Sequence, residues 1–198
     1  MTTYCDTAPG HPFHGPYHDK EYGFPATDES ILFERLSLEI FQAGLSWLIV
    51  LKKREGFKIA FKNFDVEKVA AFTDKDVERL TKDTSIIRNR KKIEATIYNA
   101  QQVIAIRNSH GGFATWIECH HPLSKEEWVK LFKKTFKFTG GEIVNEFLMS
   151  IGYLQGAHRA DCPVFEKITA IVPAWQKNQP RTSSTINSFT GVKKGTLD

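Results

Sequence analysis

Apolar side chains in this chain recur every three or four residues, and alternation at every second residue never holds for long. A helix brings positions three and four apart onto one face. A chain patterned this way buries its apolar surface by packing helix on helix. Leu32, Leu36 and Ile40, widened by Phe33 and Phe41, form one such stripe. Val50, Phe57, Phe61 and Phe64, with the stem of Arg54, form a second. Ile93, Ile97, Ala100 and Ile104 form a third, and Ile143, Val144, Phe147, Leu148 and Ile151 a fourth. The expected fold class is all-α, with short connections.

The punctuation supports this reading. Thr27-Asp28-Glu29 places acids at the first helix start, and Gln42-Ala43-Gly44 breaks that helix before Ser46 caps the next. Residues 65–72 and 73–82 read as two short helices, the second opened by a Thr73/Asp76 capping box. The third stripe ends near Gly111-Gly112. Ser124 with Glu127 opens a helix through Trp128, Leu131 and Phe132. Pro163 begins a last helix, expected to reach about Trp175. Residues 1–24, rich in Gly, Pro, His and aromatics, read as irregular structure. One helical domain is expected over residues 1–175, followed by a polar, basic, frayed tail over 176–198.

At 198 residues and 41% hydrophobic, the chain can bury a proper core. No apolar run approaches the roughly 18 residues of a membrane span, and the longest candidate stops at Lys52-Lys53-Arg54. The first residues carry no basic stretch leading into an apolar one, so the expected address is the cytoplasm. There, Cys5, Cys119 and Cys162 are expected to be thiols or metal ligands. A net charge of +4 is a mild sign of an anionic partner.

Few residues carry chemistry on their own. His158 and Cys162, four apart, can face one way on a helical turn, and Cys5 and His18 could complete a Cys2His2 set. Cys119-His120-His121 reads as a loop. Glu39 sits among Leu38, Ile40 and Phe41, but by itself reads as the polar side of a stripe. The aromatic crowd of Tyr4, Phe13, Tyr17, Tyr22, Phe24, Phe33, Phe41 and Trp47 reads as core. Thr139, Gly140 and Gly141 could seat a phosphate at a helix N-terminus, or simply connect two helices.

Six segments in order narrow these alternatives. Tyr17-His18-Asp19-Lys20-Glu21-Tyr22-Gly23 resembles the Y-H-D-x-E-W-G of the DNA-3-methyladenine glycosylase I (Tag) family. Leu38-Glu39 with Gln42-Ala43-Gly44-Leu45-Ser46-Trp47 is similar to its L-E-x-x-Q-A-G-L-S-W block, continued by Val50-Leu51-Lys52-Lys53-Arg54-Glu55. Ile86-Ile87-Arg88-Asn89-Arg90 with Lys92-Ile93 resembles its I-I-R-x-R-x-K-I, and Phe136-Lys137-Phe138-Thr139-Gly140 its F-K-F-x-G. His158 and Cys162 resemble its closing metal pair.

The resemblance implies an all-helical helix-hairpin-helix glycosylase that removes N3-methyladenine from alkylated double-stranded DNA. It implies one structural Zn2+ per chain, held by Cys5, His18, His158 and Cys162, joining the N-terminal segment to the C-terminal part. It makes Glu39 the catalytic carboxylate and places Tyr17, Trp47, His14 and Tyr22 at the base. It assigns DNA phosphates to the hairpin at Thr139, Gly140 and Gly141. No lysine stands just past that hairpin for a Schiff base, which favours monofunctional hydrolysis by water. No membrane and no obligate protein partner is implied. The chain departs from the family pattern at Thr7, His14 and Tyr22, where the family usually has other residues, all aromatic. A non-catalytic DNA-binding relative of the same fold is the alternative reading.

Overall fold

The computed structural model describes residues 3–177, and every regular element among them is a helix. In chain order these are α1 (Tyr4–Thr7), α2 (His14–Lys20), α3 (Glu29–Gln42), α4 (Trp47–Ala60), a 3-10 turn (Lys62–Phe64), α5 (Val66–Ala70), α6 (Asp74–Lys82), α7 (Arg90–His110), α8 (Phe113–His120), α9 (Lys125–Thr135), α10 (Gly141–Ser150), α11 (Pro163–Ala170) and α12 (Ala174–Lys177). None is long and apolar enough to cross a membrane. Most of the expected tail, residues 178–198, lies outside the described residues.

Helix α3 is the hub. Asp28 caps it, accepting from Ile31 N at 2.9 Å, and every residue from Leu32 to Phe41 is buried. It packs against α4, α7, α8 and α10. A helix enclosed on so many sides carries an apolar load all round: Phe41 meets Phe57 at 4.6 Å between ring centres, and Phe33 meets Phe64. Truncating a fully buried Phe such as Phe41 to Ala would cost about 3–5 kcal/mol. Polar ties add direction. Buried Arg35 donates to the Ser150 carbonyl at 2.6 Å, fixing α3 to the end of α10. Arg54 on α4 makes a two-pronged bond to Glu21, both arms at 2.7 Å, and reaches Glu34 at 2.8 Å.

Four boundaries differ from the sequence expectation. Residues 1–24 contain α1 and α2. The first is opened by a Thr3/Asp6 capping box; the second has no side-chain cap and is held by burial of Tyr17 and His18. Packing overrides the poor helix propensity of Gly15 and Pro16. The second stripe does not continue as helix to Phe64. Residues 62–64 turn left-handed, with φ near +55°, so that Asp65 can cap α5. Phe61 and Phe64 still reach the core. Helix α8 is an addition to the expected elements. Phe113, Trp116 and Ile117 form its buried face, and Cys119 and His120 end this helix instead of forming a loop. Finally, the last helix stops at Ala170, because Pro173 cannot continue it, and α12 begins beyond.

Candidate active site

At the C-terminal turn of α3, Glu39 and Gln42, three residues apart on one face, line a cavity. Buried Lys92 of α7 closes this end of the helix, donating to the carbonyls of Phe41 at 3.0 Å and Ala43 at 2.7 Å. The lysine satisfies orphan carbonyls where the helix dipole is negative. The chain then turns through Gly44, at φ +83°, and delivers Trp47 as the first residue of α4. Tyr4 of α1, Tyr17 of α2, Tyr22, and Glu142 and Glu146 of α10 complete a cavity of about 390 Å3.

The walls are aromatic. Tyr17 lies 5.1 Å from Trp47 and 5.6 Å from Tyr22, and Tyr4 meets Tyr22 edge-on at 5.7 Å. Buried Trp47 Nε1 makes no hydrogen bond of good geometry among the described residues. Glu39 is only 5% exposed and takes no hydrogen bond or cation from the described residues. Burial first, and then the charge of Glu146, push its carboxyl up to about 8. Burial and the field of Glu39 likewise raise the hydroxyls of Tyr17 and Tyr4 well above the ordinary phenol range. The cavity therefore offers flat π-faces and acceptors, with no lysine, arginine or histidine in its lining among the described residues. It suits a flat cation that donates hydrogen bonds.

The three departures noted in the sequence do not share one wall. Tyr22 lines the cavity, Thr7 is exposed, and His14 stands behind Tyr4, its Nδ1 3.1 Å from the Tyr4 hydroxyl. Sequence reasoning misses Tyr4, Gln42, Glu142 and Glu146 as lining residues. Tyr4 reads there as one more core aromatic, whereas the four-residue spacing of Glu142 and Glu146 is a readable sign that both face one way.

Behind this wall lies a second cluster. Cys5, His18, His158 and Cys162 bring one ligand atom each to within 4.8 Å of all the others. His158 Nδ1 lies 3.7 Å from Cys5 Sγ and 3.6 Å from Cys162 Sγ, and His18 Nε2 lies 3.7 Å from Cys162 Sγ. A tetrahedral ion with bonds of about 2.3 Å to sulfur and about 2.0 Å to nitrogen spaces its ligands by roughly 3.5–3.8 Å. The far nitrogen of each ring is also committed: His158 Nε2 donates to the Tyr22 carbonyl at 2.8 Å, and His18 Nδ1 to Asp19 at 2.7 Å. These bonds leave the inward nitrogens free to ligate. Burial lowers the His158 ring, keeping it neutral as a ligand must be. Gly23, at φ +86°, passes so close that a Cβ there would meet Ile168 Cδ1 at 2.8 Å. The four residues could hold a metal ion. Exposed Cys119 takes no part.

The connection between α9 and α10 forms a third feature. Asn99, buried on α7, clamps it twice: its Nδ2 donates to the Lys137 carbonyl at 3.1 Å and its Oδ1 accepts from Lys137 N at 2.8 Å. Phe138 turns left-handed, Thr139 donates to the Phe136 carbonyl, and Gly140 and Gly141 start α10 with open space where a Cβ would stand.

The model of the methyladenine glycosylase family matches residues 7–121. DNA-3-methyladenine glycosylase 1 of Escherichia coli strain K12 is 38% identical over 181 residues, covering 80% of this chain and 94% of that protein. DNA-3-methyladenine glycosylase of Haemophilus influenzae is 35% identical over 182 residues, covering 82% and 98%. A crystal structure of a point variant of 3-methyladenine DNA glycosylase I (TAG), in complex with 3-methyladenine, superposes with a TM-score of 0.73 at 32% identity, covering 82% of this chain and 97% of that one. With matches spanning most of its length at this identity, the chain belongs to the methyladenine glycosylase family.

Proposed function

We propose that this chain is a DNA-3-methyladenine glycosylase, a hydrolase that cuts the N-glycosidic bond of 3-methyladenine in alkylated DNA. The observation that carries this reading is Glu39: a buried carboxylate without a partner among the described residues, facing an aromatic cavity that has room for a purine. Leaving such a group unpaired costs stability, and a cationic ligand removes the cost. Relatives with this fold carry the same activity in their names, and one was solved with 3-methyladenine bound. An open, carboxylate-bearing pocket also argues against the non-catalytic alternative.

The chemistry follows from the substrate. A base methylated at N3 is positively charged while attached to the sugar, so its bond is already weak and the base leaves without being protonated. The base must first leave the stack and enter the cavity. Tyr17, Trp47 and Tyr22 receive its flat face, and Glu39 accepts from its amino group and offers a counter-charge. As the bond breaks, positive charge moves to the sugar at the cavity mouth, still within the field of Glu39. The electron pair of the bond leaves with the base, which becomes neutral; water then adds to the sugar carbon and gives up a proton to the solvent. The lack of a lysine in the lining among the described residues favours this monofunctional route.

In the same reading, Thr139, Gly140 and Gly141 form the hairpin of a helix-hairpin-helix element, whose free N–H groups at the start of α10 seat a phosphate of duplex DNA. Cys5, His18, His158 and Cys162 hold one structural zinc, with four protein ligands closing its coordination. The ion would bind the two ends of residues 1–175 into one unit. His14 acts on the base through Tyr4, to which it is bonded.

The deciding experiment is incubation of the full chain with methylated duplex DNA, with the released bases identified. Release of 3-methyladenine supports the reading; binding without release overturns it.

A further inference from the structure

Helix α10 turns two carboxylates, Glu142 and Glu146, toward the cavity, four residues apart on one face. Glu142 is on the exposed rim, where Lys125 Nζ approaches it at 3.5 Å. Glu146 is deeper and half-buried. The Tyr22 hydroxyl donates to its Oε2 at 2.9 Å, which leaves Oε1 available to whatever enters. Glu146 forms no ion pair among the described residues; burial pushes its carboxyl up, while the Tyr22 hydroxyl and, from the rim, Lys125 favour its anion. Two carboxylates from two helices, Glu39 and Glu146, thus share one cavity whose lining holds no cation among the described residues.

We propose that Glu146, anchored by Tyr22, is a second base-reading carboxylate that sets the preference of the pocket for a cationic purine over its neutral counterpart. The inference rests on the glycosylase reading of this cavity and deepens it. Like charges in a poorly screened site repel, so the empty pocket resists ionising both carboxylates until a cation enters. The effect is visible at Glu39, whose proton is held partly by the charge of Glu146. A ligand with delocalised positive charge relieves both carboxylates at once. A neutral purine of the same shape relieves neither. Selectivity is a difference of affinities, and here it grows with the second charge while the shape of the pocket stays the same. Stacking walls alone would accept the neutral base nearly as well.

The test uses two probes that differ in charge and one methyl group: 3,9-dimethyladeninium, a permanent cation, and 9-methyladenine, which is neutral. Binding to the full chain is measured by titration calorimetry. The parent chain should prefer the cation. Glu146→Gln keeps the length of the side chain and an oxygen that can accept from Tyr22. It should weaken binding of the cation about tenfold and leave the neutral probe unchanged. Tyr22→Phe removes the anchor and keeps the charge, so it should retain most of the preference.

If the Glu146–Tyr22 pair were only a brace between α10 and the aromatic wall, the two variants would behave alike and both probes would weaken together. That outcome overturns the proposal, as does a Glu146→Gln chain that no longer folds. Base release by the parent chain tests the underlying reading separately. No release removes the glycosylase, whereas release with an unaltered cation preference in Glu146→Gln removes only the selectivity role of Glu146.

Discussion

At the scale of a single residue, Glu39 links stability and recognition in opposite directions. Its carboxyl is ordinary in the unfolded chain, near 4.5, and titrates near 8 in the folded one. Between those values the folded chain binds the extra proton, so stability is full below about pH 4.5 and falls as pH rises toward 8. Glu39→Gln lacks this penalty and should be the more stable protein at pH 8, by on the order of 4 kcal/mol, with the gap closing at pH 4.5. Denaturant unfolding at both pH values checks this. The same ionisation should govern catalysis. The anion is the form that recognises a cation, so kcat/KM for base release should rise about tenfold per unit between pH 6 and 7 and level off above 8. A flat profile would remove Glu39 from recognition. Single-turnover release by Glu39→Gln should be slower on the order of a hundredfold, equivalent to about 2–3 kcal/mol.

Glu39 is only half legible in the sequence. Its apolar neighbours are plain, but they suit a residue on the wet side of a stripe as well as one at the mouth of a buried helix. Periodicity reports which residues share a face, and says nothing of what that face meets. Tyr4 is hidden for a related reason: a tyrosine beside Cys5 carries no spacing signal that distinguishes pocket from core.

At the scale of elements, the long amphipathic segments are legible because their caps and stripes agree. Helix α7 ends at Gly111, and α9 begins at the Ser124 capping box, as patterned. Short helices are not, because packing decides them: α2 has no cap and contains Gly15 and Pro16, yet buried Tyr17 and His18 hold it. The turn before α10 permits a clean test. Gly140 has φ −73° and ψ 172°, a conformation valine adopts readily, and nothing lies within 4 Å of its would-be Cβ. Gly140→Val should therefore leave thermal stability nearly unchanged while weakening binding to duplex DNA about tenfold, methylated or not, because phosphate contacts carry no base information. Fluorescence anisotropy with both duplexes measures it; unchanged affinity would make this turn a connector only. Asn99→Ala, which frees the Lys137 backbone from both of its bonds, should weaken the same binding and also cost about 1–3 kcal/mol of stability.

At the scale of the whole molecule, the Cys2His2 cluster brings sequence positions 5 and 162 together, and a metal ion held there would tie them. Cross-linking so long a loop restricts the unfolded chain, worth about 4–5 kcal/mol by chain-entropy arguments. Metal analysis should find about one zinc per chain, and Cys162→Ala should lose both the metal and stability of this order. A metal-free protein with unchanged unfolding would refute the structural role. The cluster also holds the pocket. Tyr4 precedes Cys5, Tyr17 precedes His18, and the Tyr22 carbonyl accepts from His158. This arrangement has a consequence for biosynthesis. A ribosome releases Tyr4 and Tyr17 early, but the side chains that pin them arrive more than a hundred residues later. With an ion in the cluster, the nascent chain would form its central helices while the aromatic wall is still loose, and the wall would close only once residue 162 has cleared the exit tunnel. Chains stalled at about residue 155 should show helical content and no affinity for the adeninium probe, so that competence arrives as a late, single event in synthesis.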